Sequence, residues 1–254
     1  MQEKQQSARF VAARALYRAS ESCPEPGTQA AALECLVIRG ARMPRRSILR
    51  VLFVFFVALA ASAAAAAPVV LILGDSVSAG YGLPAEAGWA TLLQQRLAAE
   101  HYPHRVVNAS ISGDTTAGGK ARLDALLARN HPAVTVIELG GNDGLRGGNL
   151  DAMRANLDAM TVAAQKSGSR VLIVGLRLPP NYGSVYVHRF ETTYGDIARE
   201  RKAALVPFLF DGFAEDNAMF QTDRIHPVVA AQSRLLDNVW PHLKPLLGEQ
   251  GKSR

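Results

Sequence analysis

From residue 68 onward, the apolar residues occur in two different patterns of spacing. Short runs of Val, Ile and Leu predict strands that are buried on both faces. Between these runs, apolar residues recur at the three- and four-residue spacing of amphipathic helices. The predicted strands are 69–73, 106–109, 134–139, 170–174 and 204–207. The predicted helices are 89–100, 116–129, 150–164, 185–202 and 227–240, the last beginning at Pro227 because proline suits a first helical position.

Strands that alternate with helices of this length indicate βαβ units and therefore a parallel sheet covered on both faces. We predict an α/β fold, a three-layer α/β/α sandwich with a central five-stranded parallel sheet, over residues 68–248. Residues 249–254 form a polar tail. Ligands of such sheets bind beyond the carboxyl ends of the strands. The loops 74–82, 109–115, 140–147, 176–184 and 211–226 are therefore the places to look for chemistry.

The segment before the domain has the pattern of a secretory signal peptide. Three arginines are followed by an apolar run over 51–61 and a tract of small residues over 62–67. We assign the signal to residues 43–67, with cleavage near Ala66 or Ala67, and expect a periplasmic or secreted protein. Residues 1–42 are then an upstream extension, non-native or disordered. The alternative is an uncleaved anchor, since the 20 residues 48–67 are long enough to span a bilayer.

Charge and cysteine content follow this division of the chain. The whole chain carries a net charge of +6, but from residue 68 onward 19 Lys and Arg face 18 Asp and Glu, a net charge of +1. The basic excess therefore lies in the leader, and nucleic acid is not an expected partner. Both cysteines, Cys23 and Cys35, precede the domain, so no cysteine metal site is predicted. We expect a monomer, and no stable membrane partner after cleavage.

Three loops carry candidate catalytic groups after a predicted strand. Ser76 follows the first strand in a glycine-flanked turn, where a hydroxyl can face the crevice; the spacing of a dinucleotide-binding loop is absent. Gly113 in the second loop lets the backbone direct an N–H at a ligand. Asn142 in the third loop is a neutral amide donor suited to an oxyanion. Taken singly, each of the three is better explained as an ordinary turn residue.

A fourth loop supplies a base. Asp223 and His226 are three residues apart, so the carboxylate can orient the imidazole ring. The other five histidines fall on predicted helices, helix ends or remote loops. Nucleophile, backbone donor, amide donor and oriented base on one edge of the sheet are the groups that acyl transfer requires. Their combination predicts an enzyme.

Gly74-Asp75-Ser76, Gly113, Gly140-Gly141-Asn142-Asp143 and the motif from Asp223 to Pro227 resemble the four blocks of the SGNH/GDSL hydrolases, whose fold is flavodoxin-like. The similarity is greatest to the bacterial periplasmic acyl-CoA thioesterase I, lysophospholipase L1 and arylesterase subgroup. The resemblance implies a catalytic triad of Ser76, His226 and Asp223. It also implies an oxyanion hole formed by the N–H groups of Ser76 and Gly113 and by the Asn142 side chain, and an acyl-enzyme formed without metal or cofactor.

The same resemblance implies small acyl esters, thioesters or lysophospholipids as substrates. The segment 176–183 is similar to the acyl-contacting loop of the subgroup, with Leu178, Pro179 and Tyr182 as candidate substrate contacts. Arg224 departs from the subgroup, which often has glycine there. Two alternatives stay open, a carbohydrate acetylesterase and a catalytically silent binding module on the same scaffold.

Overall fold

A computed structural model describes residues 67–248 of the chain. The predicted upstream extension of residues 1–42, the predicted leader up to residue 66 and the polar tail lie outside the described residues. The strands are β1 Val69–Gly74, β2 Arg105–Asn108, β3 Val134–Glu138, β4 Arg170–Val174 and β5 Ala204–Val206. The α-helices are α1 Ser76–Ala79, α2 Trp89–Ala99, α3 Thr116–Asn130, α4 Gly141–Leu145, α5 Leu150–Lys166, α6 Ser184–Arg201 and α7 Gln232–Leu243.

The five strands form one parallel sheet in the order β2-β1-β3-β4-β5. Val70 of β1 pairs with Val106 on one side and with Val134 on the other. Every residue of β1 and β3 is buried, as the continuous apolar runs predict. Helices α3, α5 and α6 pack together, as do α2 and α7, and the two groups supply the outer layers. The predicted α/β/α sandwich with five parallel strands is confirmed.

Strand order places the site. The chain moves from β1 outward to β2 and then returns to β3 on the other side of β1. The direction in which strands are added to the sheet therefore reverses between β1 and β3. Parallel sheets bind ligands at such a reversal, beyond the carboxyl ends of the strands. The segments that follow β1, β2 and β3 hold Ser76, Gly113 and Asn142 respectively.

The last helix begins later than predicted. Instead of starting at Pro227, it covers Gln232–Leu243 after a short 3-10 turn at Val229–Ala231. Pro227 is held in an antiparallel bridge with Phe220, and tertiary hydrogen bonds of this kind override the local preference of proline for a helix start. Within residues 67–248 no helix is both long and apolar enough to cross a membrane.

Candidate active site

Ser76 is the first residue of a short helix at the carboxyl end of β1. Asp75 caps this helix, its side chain accepting a hydrogen bond of 3.0 Å from the N–H of Val77. The turn closes with Gly80 in the left-handed conformation at φ 74°. Within residues 67–248 the Ser76 N–H has no acceptor, as is usual in a first helical turn. The hydroxyl and the N–H of Ser76 are both available to a ligand.

His226 connects Ser76 to Asp223. Its Nε2 lies 2.8 Å from Ser76 Oγ, and its Nδ1 lies 2.7 Å from Asp223 Oδ2. The other oxygen of Asp223 accepts from the backbone N–H groups of Ile225 at 2.9 Å and His226 at 3.0 Å. Burial raises the pKa of Asp223, but these hydrogen bonds from His226 and Ile225 outweigh it and lower the pKa to about 2. Asp223 is therefore a carboxylate that holds the Nδ1 side of the ring.

Two backbone hydrogen bonds hold the segment that carries His226. The Gln221 N–H donates to the His226 carbonyl at 2.8 Å, and the Val228 N–H donates to the Met219 carbonyl at 2.9 Å. The ring of Tyr81 lies against the imidazole, with 4.6 Å between ring centroids. The same bonds that prevent a helix from starting at Pro227 thus fix the position of the histidine.

The two further oxyanion candidates lie on the neighbouring loops. Asn142, in the first turn of α4, donates from Nδ2 to Asp75 Oδ2 at 3.2 Å, which brings it beside the turn that carries Ser76. Gly113 has φ 79°, a left-handed conformation that favours glycine. Within the described range its N–H has no acceptor. The structure thus links Ser76, His226 and Asp223 by hydrogen bonds and holds Asn142 beside the same turn through Asp75, with Gly113 on the adjoining loop.

A buried pair of carboxyl groups beneath Ser76 was not foreseen from the sequence. Glu138 is fully buried at the end of β3, where Oε2 accepts from Ser78 Oγ at 2.7 Å and from the Asp75 N–H at 3.4 Å. Burial raises the pKa of Asp75 to about 6, and burial together with the Asp75 charge raises that of Glu138 well above its ordinary value. A Cβ at Gly74 would lie 2.7 Å from Glu138 Oε2, so only glycine fits there. The signal for this pair was a glutamate in an otherwise apolar strand.

A cavity of about 1030 Å³ opens beside Ser76 and His226. Its apolar walls come from the loops after β4 and β5 and from α4 and α6. The main apolar lining residues are Leu145, Leu176, Leu178, Pro179, Val187, Phe208, Phe210, Phe213, Phe220 and Ile225. Of the predicted substrate contacts, Leu178 and Pro179 line the cavity. Tyr182 is not among the lining residues; its hydroxyl donates to the Leu145 carbonyl at 2.8 Å and ties the loop to α4.

Arg224 stands at the cavity mouth with φ 59°. This left-handed conformation explains in physical terms why glycine suits the position, since a side chain there costs about 1 kcal/mol. In the described part of the chain no cluster of three or more His, Cys, Asp or Glu residues could hold a metal ion.

Known proteins are similar to this chain over the region that contains the candidate active site. Residues 72–234 match the GDSL-like lipase/acylhydrolase family. Over 181 residues the chain is 56% identical to Esterase TesA of Pseudomonas aeruginosa, covering 71% of this chain and 90% of that protein. It is 40% identical over 181 residues to thioesterase 1/protease 1/lysophospholipase L1 of Escherichia coli strain K12, covering 71% and 86%. The crystal structure of TesA matches with a TM-score of 0.69 and 56% identity, covering 70% of this chain and 99% of that one.

Proposed function

The chain belongs to the GDSL-like lipase/acylhydrolase family and is an ester hydrolase, and we propose that it cleaves acyl esters and thioesters through an acyl-enzyme on Ser76. The observation that carries the proposal is the position of His226, whose two ring nitrogens lie 2.8 Å from Ser76 Oγ and 2.7 Å from Asp223 Oδ2. A base hydrogen-bonded to a nucleophile and oriented by a carboxylate is the arrangement that acyl transfer needs.

In the first half of the reaction, Ser76 Oγ attacks the acyl carbonyl carbon while His226 Nε2 takes its proton. Negative charge moves to the carbonyl oxygen, to which the N–H groups of Ser76 and Gly113 and the Asn142 amide would donate. Collapse of the tetrahedral intermediate expels the alcohol or thiol, which receives the proton from His226. Water then attacks the acyl-enzyme with His226 again as base, releasing the acid and restoring Ser76.

The acyl chain of the substrate would occupy the cavity beside Ser76. Half of its lining residues are Leu, Phe, Val, Ile, Pro or Ala, which favour burial of a hydrocarbon chain, and charged residues such as Arg177, Glu191 and Asp216 are among the rest. This supports medium or long acyl esters, acyl thioesters and lysophospholipids over acetylated carbohydrates. With the leader of residues 43–67, we place this activity in the periplasm or outside the cell, in a monomer.

Labelling with a fluorophosphonate tests the nucleophile. The probe should modify the protein on Ser76, and Ser76→Ala should abolish both labelling and hydrolysis of p-nitrophenyl butyrate.

Asn142→Ala should lower kcat about 100–1000-fold, the usual effect of removing one oxyanion donor.

Ser233→Ala, at an exposed serine on α7, provides the matched control and should label and turn over like the unchanged protein. A Ser76→Ala protein that still labels or hydrolyses the ester would refute the proposal. Folded protein that never labels would instead indicate a silent binding module.

A further inference from the structure

Arg146 bridges the loops that follow β2 and β3. It ends α4, and its Nη2 donates to the Gly113 carbonyl at 3.2 Å and to Asn142 Oδ1 at 3.5 Å. Arg146 is exposed and forms no ion pair with any group in residues 67–248. Within residues 67–248, the hydrogen bonds of the Arg146 side chain are therefore made to two of the three residues assigned to the oxyanion hole.

The Asn142 amide needs a fixed orientation to serve as a donor. If the amide flipped, its oxygen would replace its N–H groups and repel an oxyanion. Asp75 Oδ2 accepts from Nδ2 on one side of the group, and Arg146 donates to Oδ1 on the other. With both ends of the amide held, the second hydrogen of Nδ2 remains available for the carbonyl oxygen of a substrate.

The loop that carries Gly113 is exposed, and side chains restrain it from two sides. On one side, Asp114 pairs with Arg122 of α3 at 2.7 Å. On the other, Arg146 holds the Gly113 carbonyl. Because Gly113 has the widest backbone freedom in the loop, a bond to its carbonyl restricts the rotation that the glycine would otherwise allow.

We infer that Arg146 is a positioning residue, which aligns the Asn142 amide and the Gly113 backbone as one oxyanion-binding unit. The inference rests on the proposed function of Ser76, Gly113 and Asn142. Arg146 itself touches neither the nucleophile nor the reacting carbonyl in this account. It acts on catalysis through the two donors, whose hydrogen bonds strengthen as charge develops on the oxygen.

The test uses Arg146→Met, which keeps the apolar stem and removes the donors. With p-nitrophenyl butyrate, a neutral substrate, we expect kcat to fall about 10-fold with little change in KM, because transition-state contacts and not ground-state binding are weakened. In the Asn142→Ala background the same change should cost only about 2-fold, since residues that act as a unit are not additive. Arg146→Lys, which keeps a donor nitrogen, should recover part of the loss.

Arg199→Met, at an exposed arginine on α6, is the matched control and should leave kcat unchanged. Equal losses from Arg146→Met in both backgrounds, a loss confined to KM, or full activity of Arg146→Met would each overturn the inference. Failure of the proposed function itself is recognised separately, because Asn142→Ala alone would then leave kcat unchanged.

Discussion

Asp75 is a buried carboxyl group whose protonation depends on folding. Burial raises its pKa from 3.8 to about 6, while in the unfolded chain the group titrates near its ordinary value. Between about pH 4 and pH 6 the folded state therefore binds a proton that the unfolded state has lost. The free energy of unfolding then falls as pH rises through this window.

Asp75→Asn should remove this dependence, because asparagine keeps the helix cap and does not titrate. From pH 4 to pH 7 the variant should gain stability relative to the unchanged protein by up to about 3 kcal/mol, two pKa units at 1.4 kcal/mol each. Urea unfolding at pH 4, 5, 6 and 7 measures the difference. Asp223→Asn is the control: its folded pKa of about 2 lies below the ordinary value, so its stabilisation is present above about pH 4 and is lost toward pH 2. Parallel stability curves for Asp75→Asn and the unchanged protein would contradict the prediction.

Single residues differed in how far the sequence could reveal them. Ser76, Asp223 and His226 could be proposed from the sequence because each belongs to a local motif, a Gly-Asp-Ser turn after a strand and an Asp-x-x-His pair. The pairing of Asp75 with Glu138 joins residues 63 positions apart, and only the register of β1 against β3 brings them together. The bridge from Arg146 to Gly113 is of the same kind, since two loops meet only after the sheet has formed. Long-range polar contacts of this sort leave no periodic trace in the sequence.

At the scale of elements, Gln232 joins the start of α7 to the start of α2. Its Oε1 accepts from the N–H of Trp89 at 3.0 Å, and its Nε2 donates to the Val228 carbonyl at 3.3 Å. Gly88, at the cap of α2, has no side chain to serve that N–H. A fully buried glutamine thus caps one helix while closing the turn that leads into another.

Gln232→Met keeps the side-chain volume and leaves the Trp89 N–H without its partner. We expect the free energy of unfolding to fall by about 1–3 kcal/mol, the cost of a buried unsatisfied polar group. Chemical denaturation by urea measures this loss. Gln95→Met, at an exposed glutamine on α2, should change stability by less than about 0.5 kcal/mol. A Gln232→Met protein as stable as that control would refute the capping role.

The bounds of the strands and helices agree with the prediction wherever they depend on apolar periodicity alone. All five strands and the four earlier long helices lie within about two residues of their predicted bounds, because apolar periodicity reports burial directly. The last helix starts five residues later than predicted, because its start depends on hydrogen bonds between the segment 226–228 and the segment 219–221. Neither partner in those bonds has a distinctive composition. The displaced segment is also the one that positions His226, so the local departure from helix serves the site.

At the scale of the whole molecule, most of the cavity wall lies apart from the nucleophile and the oxyanion donors. The loops after β1, β2 and β3 hold the proposed nucleophile and oxyanion donors, whereas those after β4 and β5 supply most of the cavity walls, and the segment after β5 also carries Asp223 and His226. Aromatic residues of the last loop pack on one another, with 5.5 Å between the ring centroids of Phe210 and Phe220. Substrate preference can therefore change through the loop after β4 and through residues 208–216, while Ser76, the oxyanion donors and His226 stay in place.

This separation predicts how turnover depends on acyl length. In a series of p-nitrophenyl esters, kcat/KM should rise from acetate toward octanoate by up to about 4-fold per methylene, because burying each methylene contributes about 0.8 kcal/mol.

Leu178→Gln keeps the volume of a buried wall residue and makes it polar. It should lower the octanoate-to-acetate ratio about 10-fold, because burying an unsatisfied amide costs about 1–3 kcal/mol. Val185→Gln, at an 82% exposed position beyond the same loop, should leave the ratio unchanged. Preference for acetate in the unchanged protein would exclude the acyl-chain cavity and favour an acetylesterase.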